Sequence, residues 1–545
     1  MRICLSQLNF RIGDIEGNLI KMEEAVAQAS RDHCDLIVFS ELAVCGYPPK
    51  DLLDYPSFIR RCTEAIDKLR LLSGNIGILV GAPTPSNLQR GKKLYNGAFF
   101  LHEQKVQAIV HKGLLPTYDI FDEYRYFEPA DHFETVEFKG YKLAVTICED
   151  LWNLSGDHLY KVTPMDELMK EDPDIMINLS GSPYSYNHVE ERRSRMQQNA
   201  SHYQLPLIYV NQVGGNTDVL FDGGSMFINH KGEIAEECAF FEEDYLTVDW
   251  DPQTEYHDDC EEYHDHDIRL IHDAVVMGIR DYFQKSGFTK AILGSSGGID
   301  SAVVNALAAE ALGSENVTAV LMPSPYSSEG SVNDARDLAN NLNCPFHIIP
   351  ITDVFNAFND TLKPVFGDRP HDVTEENLQA RSRGVMVMAM SNKFGGIVLN
   401  TSNKSESAVG YTTLYGDMCG GLSVIGDLYK TQVYEMARFI NRKREIIPES
   451  IIVKPPSAEL RPGQKDADSL PPYDLLDQIL YHYIEEQKGW EEIDALGFDP
   501  DVVRKIAKLV DRNEYKRFQA APTLRISHKA FGTGRRMPIV AKYYH

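Results

Sequence analysis

The chain has 545 residues, 43% of them hydrophobic and 25% charged, and is too long for one ordinary core. Its formal net charge of −26 disfavours non-specific attraction to nucleic acid or to an anionic membrane surface. No apolar run approaches bilayer-spanning length, and nine cysteines without metal-ligand spacing or a secretory leader point to free thiols in a cytoplasmic protein.

The first half alternates short apolar runs with amphipathic stretches. MRICLSQLNF is followed by NLIKMEEAVAQAS at helical period and by CDLIVFSEL, then by NIGILVGAP, YNGAFFLH, YKLAVTICED, DIMINLSGSP and LPLIYVNQVGG. Such strand-rich alternation indicates an α/β sandwich or open sheet. The tract 251–268, DPQTEYHDDCEEYHDHDI, is acidic and histidine-rich with few apolar residues. It reads as a solvated linker between domains at 1–250 and 269–545, and less well as a metal-binding tract, because its side chains show no fixed ligand spacing.

Beyond the linker, a helical IRLIHDAVVMGIRDYFQKSG leads to the strand KAILGSS, the helix SAVVNALAAEALG and the strand VTAVLMPSPY. This order predicts a doubly wound parallel sheet whose ligands lie beyond the carboxyl ends of its strands. The glycine-rich turn SSGGIDS, residues 295 to 301, occupies such an end. A P-loop would carry Gly-Lys-Ser/Thr here, whereas this turn runs on to Ile299, Asp300 and Ser301. A carboxylate in that place repels phosphate unless a divalent cation lies between them.

In the first half, three polar residues punctuate apparent strand ends: Glu41 in IVFSELAVCGYP, Lys112 in AIVHKGLLPTYD and Cys148 in LAVTICEDLW. A thiol becomes a nucleophile when a neighbour takes its proton or a cation stabilises the thiolate. Taken singly, the cysteine also fits a small buried side chain, and the other two a structural ion pair. Together with their local sequences, CEDLW above all, they resemble the Glu-Lys-Cys triad of the nitrilase superfamily over about residues 1 to 250. The resemblance implies an αββα sandwich, with Glu41 as general base, Cys148 as nucleophile toward a carboxamide and Lys112 supporting the oxyanion. It also implies glutamine as the amide, held by Tyr118 and Ser182, with His188 where relatives carry Lys or Arg.

In the second half, SSGGIDS resembles the SGGxDS loop of ATP pyrophosphatases, which split ATP into AMP and pyrophosphate. Its glycines let backbone N–H groups converge on an anion at a helix amino terminus. The stretches MPSPYSSEGSVNDA, TEENLQARSRG, TSNKSESAVGYTTLYGDM, KPPSAELRPGQKDADSLPPYDLLD and NEYKRFQAAPTLRISHKAFGTGRRMPI resemble the synthetase domain of glutamine-dependent NAD synthetases, over residues 270 to 545. That resemblance implies an ATP site at Gly294, Ser295, Ser296, Gly297, Gly298, Ile299, Asp300 and Ser301, joined by Thr401, Lys430 and Ser457. It implies deamido-NAD near Asn377, Arg381, Glu406, Lys516, His528 and Lys529, and Mg2+ on Asp300 and Glu406.

The combination implies that ammonia freed from glutamine amidates an adenylated deamido-NAD along a protected path, in a homodimer or higher homo-oligomer. The Pro- and Gly-rich 454–469 segment is expected to be a mobile lid over the nucleotide. Rival glutamine-fed ATP pyrophosphatases carry a different glutaminase, and a tRNA-modifying relative would need a basic stripe that is missing here.

Overall fold

The computed structural model describes residues 1–154, 159–257 and 267–542. Residues 258–266, half of the expected linker, lie outside the described residues. The chain divides into two compact units, Met1–Asp265 and His266–His545.

The first unit is built on two six-stranded sheets. One contains β1 (Arg2–Gln7), β2 (Leu36–Val38), β3 (Gly77–Pro85), β4 (Leu94–His102) and β5 (Lys105–His111), in that order, with β14 (Asp244–Asp249) beside β1. The other runs β13 (Ile234–Glu237), β12 (Met226–Ile228), β9 (Leu207–Asn211), β8 (Ile175–Ser180), β7 (Tyr141–Ile147), β6 (Val136–Phe138). The strands β10 (Val213–Asn216) and β11 (Val219–Asp222) form a separate hairpin.

Strand residues alternate between two cores, as a period of two demands. Ile3, Leu5, Leu36, Val38 and Leu79 meet Leu143, Val145, Ile177 and Ile208 between the sheets. Cys4, Ile37, Ile78 and Val80 face outward, toward α1 (Ile15–Arg31) and α2 (Pro56–Leu72). Ile15, Leu19, Met22, Val26 and Ala29 form the buried stripe of α1 at helical spacing, and the Asp14 carboxylate caps its first turn. The second sheet is covered by α3 (Pro164–Leu168) and α4 (His188–Tyr203), whose Met165, Leu168, Met196 and Ala200 pack on Ala144, Met176 and Tyr209. The layers are therefore α, β, β, α.

The second unit has a five-stranded parallel sheet in the order β17 (Phe346–Ile348), β16 (Val317–Leu321), β15 (Ala291–Gly294), β18 (Ile397–Asn400), β19 (Leu422–Ser423). Reversal of strand order on either side of β15 creates a crevice at its carboxyl end. Around the sheet lie α5 (Ile268–Ser286), α6 (Ile299–Leu312), α7 (Glu329–Leu342), α8 (Thr352–Phe366), α9 (Val373–Phe394), α10 (Lys404–Val409), α11 (Lys430–Ile440), α12 (Glu449–Val453) and α13 (Tyr473–Ile484). The α6 helix starts directly after the turn that leaves β15. Among the described residues no helix is long and apolar enough to cross a membrane.

Candidate active sites

In the first unit, Glu41 lies three residues beyond β2, Lys112 directly follows β5, and Cys148 directly follows β7. The Lys112 ammonium is buried and donates to Glu41 Oε1 at 2.7 Å and to both oxygens of Glu123 at 2.9 Å. Asn96 Nδ2 gives Glu41 Oε1 a second donor at 2.7 Å, and the Tyr47 hydroxyl donates to Glu123 at 2.7 Å. Glu41 Oε2 is buried and has no hydrogen-bond partner among the described residues.

That oxygen lies 3.1 Å from where a Cβ on Gly181 would stand, and the Gly181 backbone N–H is also directed at the Cys148 thiol. Base and nucleophile thus share one neighbour. Gly81 permits the same compactness on the other side, because a Cβ there would come within 2.3 Å of the Leu42 backbone nitrogen.

Cys148 has φ of 42°, in the left-handed region, and opens the short 3-10 turn Cys148–Leu151. Such strain at a nucleophile is held only where neighbours over-determine the backbone. Asp150 supplies that restraint. Its carboxylate accepts from the backbone N–H of Ile147 at 3.0 Å, Gly113 at 3.0 Å and Leu114 at 2.8 Å, tying the cysteine turn to the chain after Lys112.

Burial dominates the electrostatics. It pushes Glu41 up to about 7 against the pull of Lys112, and it holds the Cys148 thiol well above its ordinary value, with Glu41 adding to the effect. Burial opposes the Lys112 charge, yet Glu123 and Glu41 together keep the ammonium protonated far above neutrality.

The Tyr118 and Tyr160 hydroxyls donate to the buried Glu149, at 2.9 and 3.0 Å, and burial raises this carboxyl to about 7. Ser182 is fixed through its backbone, which exchanges hydrogen bonds with the Asn211 amide at 2.9 and 3.0 Å. His188 stacks on the Trp152 indole at 5.1 Å, and Arg195 lies over the same ring. Sequence inspection missed Glu123, Asn96 and Glu149. Glu149 was visible as the neighbour of the cysteine, but nothing local distinguishes Glu123 from the other acids of DIFDEYRYF.

In the second unit, a cavity of about 320 Å³ opens at the carboxyl end of β15. Gly294, Ser295, Ser296, Gly298, Ile299, Asp300 and Ser301 line it, together with Thr401, Glu406, Lys430 and Ser457. Gly297 has φ of 74° and abuts α7, where a Cβ would sit 2.1 Å from the Ser331 carbonyl oxygen, so only glycine fits. The Ser301 hydroxyl accepts from the Ser296 N–H at 3.2 Å and donates to the Gly298 carbonyl at 3.0 Å, which sets the turn. The Ser295 hydroxyl is buried without a partner among the described residues.

Asp300 accepts from the Asn403 amide at 2.8 Å through one oxygen and from the Lys430 ammonium through the other; Lys430 also reaches Glu406 at 3.2 Å. Burial raises Glu406 to about 8 against the pull of Lys430, and Asp300 and Asp466 raise it further. Burial opposes the charge on Lys430, which Asp300 and Glu406 restore. Asp466, held by the Tyr473 hydroxyl at 2.9 Å, adds a third carboxylate around one ammonium.

Three of the residues expected near deamido-NAD converge on one turn. The Asn377 amide oxygen accepts from the Thr413 hydroxyl at 2.7 Å, Arg381 Nε donates to the Leu414 carbonyl at 3.2 Å, and Lys516 donates to the carbonyls of Gly410 and Thr412 at 2.8 and 2.7 Å. That turn presents Tyr411, Thr412 and Asp417 to the cavity, whereas Asn377, Arg381 and Lys516 are not themselves in its lining. His528 is exposed, Lys529 is half-buried, and neither lines the cavity.

The 454–469 segment forms a wall of the cavity and is fastened on two sides. The Glu459 carboxylate accepts from the Ser328 and Ser331 hydroxyls at 2.9 and 2.8 Å, and the Leu460 carbonyl accepts from the Gln379 amide at 2.9 Å.

Family models match both units: carbon-nitrogen hydrolase over residues 2–257 and NAD synthase over residues 271–520. Over full length the chain is similar to a glutamine-dependent NAD(+) synthetase of Synechocystis sp., at 47% identity over 99% of each chain, and to one of Thermotoga maritima, at 43% over 100% of this chain and 99% of the other. A solved glutamine-dependent NAD+ synthetase from Acinetobacter baumannii, in complex with adenosine diphosphate, matches with a TM-score of 0.79 at 41% identity, covering 99% of this chain and 98% of that one. One from Cytophaga hutchinsonii matches in fold, with a TM-score of 0.83 at 19% identity over 99% and 98% of the two chains.

Proposed function

Because this chain belongs to the glutamine-dependent NAD(+) synthetases, ligases with a carbon-nitrogen hydrolase and an NAD synthase domain, we propose that it amidates deamido-NAD through an adenylate, with ammonia freed at Cys148. One observation carries this reading: a buried Glu41–Lys112–Glu123 cluster abuts a strained cysteine turn in one unit, and the other unit bears a cavity floored by SSGGIDS.

In the first half-reaction Glu41 Oε2, which lacks a partner among the described residues, takes the Cys148 proton as sulfur attacks the carboxamide carbon of glutamine. Lys112 and a backbone N–H hold the oxyanion. The C–N bond breaks and Glu41 gives the proton to the departing ammonia; water deprotonated by Glu41 then adds to the thioester, the C–S bond breaks to release glutamate, and the proton passes from Glu41 back to the Cys148 sulfur. Tyr118 and Ser182 bound the glutamine pocket, and Glu149 suits the α-ammonium of the substrate.

In the second half-reaction the nicotinate carboxylate attacks the α-phosphorus of ATP, pyrophosphate leaves, and ammonia displaces AMP from the adenylate. The backbone of the SSGGIDS turn holds pyrophosphate oxygens at the start of α6. Three carboxylates around Lys430 leave an excess of negative charge, which fits a hard divalent cation on Asp300 and Glu406. Mg2+ there would neutralise charge on the departing pyrophosphate. Lys430 anchors both carboxylates, and Thr401 and Ser457 bound the nucleotide. The 410–414 turn, held by Asn377, Arg381 and Lys516, shapes the deamido-NAD side, with His528 and Lys529 beyond it. Transfer of ammonia without release to bulk water, a homo-oligomeric state and a cytoplasmic location complete the proposal.

The test supplies deamido-NAD and ATP with either glutamine or ammonium. Cys148→Ala should lose glutamine-supported synthesis and retain ammonium-supported synthesis, with AMP and pyrophosphate as products. Conversion of ATP to ADP by the wild-type protein would refute the adenylate route.

A further inference from the structure

Among the described residues, three cations line the nucleotide cavity: Lys430, Lys454 and Arg383. Two are already matched by carboxylates. Lys430 meets Asp300 and Glu406, and Lys454 meets Asp334 at 3.4 Å and the Ser331 hydroxyl at 3.0 Å. Arg383 makes no ion pair among the described residues. Its Nε donates to the Met322 carbonyl at 3.1 Å, and neither terminal nitrogen has a protein partner among those residues.

The backbone explains this placement. Ala380, Arg383, Gly384 and Val387 recur at helical spacing on α9 and all line the cavity, while Arg381 is turned to Leu414. Gly294 pairs with Val320, and the end of the Met322 side chain lies 3.2 Å from where a Cβ on Gly294 would stand, so the Nε anchor belongs to the residue next to the strand end that opens into the glycine turn. Arg383 and the SSGGIDS turn thus line the same cavity.

Burial lowers Arg383 to about 10, which leaves it charged at neutral pH; Glu459 and Asp417 act on it only at longer range. The guanidinium is part-exposed at the cavity with no acidic partner among the described residues, and its planar fork of donors matches the oxygens of a phosphate. Adenine, being neutral, would leave that charge unmatched.

We infer that Arg383 is a substrate-binding residue of the synthetase half-reaction, whose terminal nitrogens take the phosphate chain of ATP. This inference rests on the nucleotide site proposed above. Arg383 stands opposite in kind to Lys430: one cation is spent on the protein's own carboxylates and the other is reserved for the ligand.

The experiment measures binding of a non-hydrolysable ATP analogue and of adenosine to the full-length wild-type, Arg383→Met and Arg383→Lys proteins, with melting temperatures taken in parallel. Arg383→Met should weaken the analogue about tenfold to a hundredfold, the range for hydrogen bonds between charged groups, and leave adenosine unchanged. Arg383→Lys should recover part of the loss. Retained analogue binding in Arg383→Met would overturn the inference, as would an equal loss for adenosine or a fall in melting temperature with unchanged affinity. Wild-type protein that forms ADP would refute the adenylate route, while a selective loss of analogue binding in Arg383→Met would still support the phosphate contact.

Discussion

The two candidate sites treat charge in opposite ways. Around Lys112, among the described residues, every charged group but one carboxylate oxygen already has a partner inside the protein, and the ammonium is fully buried. Around the SSGGIDS turn the cavity is open, Asp300 and Glu406 share Lys430, and Arg383 has no ion pair among the described residues. A thiol attacking a small neutral amide needs a dry site whose dipoles are set before the substrate arrives. A site for a polyanion needs charges that only the ligand completes.

The largest effects should come from breaking the first arrangement. Lys112→Met leaves Glu41 and Glu123 buried without their counter-ion, which costs about 3–5 kcal/mol of stability. Glutamine hydrolysis should fall by about two to three orders of magnitude, as when an oxyanion donor is lost. Calorimetry together with glutaminase and ammonium-supported assays checks this; unchanged hydrolysis would deny Lys112 its role. Asp300→Asn should sharpen the contrast from the other side. It should lower both glutamine- and ammonium-supported synthesis by about 10²–10³-fold, as loss of one transition-state charge contact does, with glutamine hydrolysis retained.

A smaller effect separates the sites by pH. Glu41, raised to about 7, must be ionised to take the thiol proton, so kcat/KM for glutamine hydrolysis should rise as pH increases through about 7. Glu41→Asp should displace that limb, and a flat profile would remove Glu41 as the base.

The smallest concerns stability alone. Burial opposes protonation of His272 on α5, but its contacts with Asp273 at 2.8 Å and Glu310 at 3.1 Å raise it to about 9. The folded form then binds the proton more tightly than the unfolded chain. The stabilisation is complete below the unfolded value of about 6.5 and is lost as pH rises through about 9. With both acidic partners half exposed, it should be on the order of 1 kcal/mol. His272→Gln should lower the melting temperature at pH 6 and make little difference at pH 10.

Legibility in sequence followed the distance over which each feature is built. The glycine turn was plain because strand, turn and helix lie within about twenty residues and all three follow from local backbone rules. Cys148 was recognisable for a different reason, the resemblance of CEDLW to the cysteine motif of the nitrilase superfamily. The 454–469 stretch read as mobile from its Pro and Gly content, yet Glu459 and Leu460 fasten it to α7 and α9, contacts that composition does not encode. Lys516 read as a substrate contact, and its ammonium is taken by two carbonyls of a turn a hundred residues away.

By itself the sequence determined two α/β domains and a glycine turn at a strand end, because periodicity and turn geometry act over a few neighbours; the residues for thiol and nucleotide chemistry followed from the resemblance of its motifs to known families. Only the tertiary structure decided which charges meet. Lys112 and Glu41 are 71 residues apart, and Lys430 and Asp300 are 130 apart. Their interaction depends on removal from water, a property of the assembled core that no local segment contains.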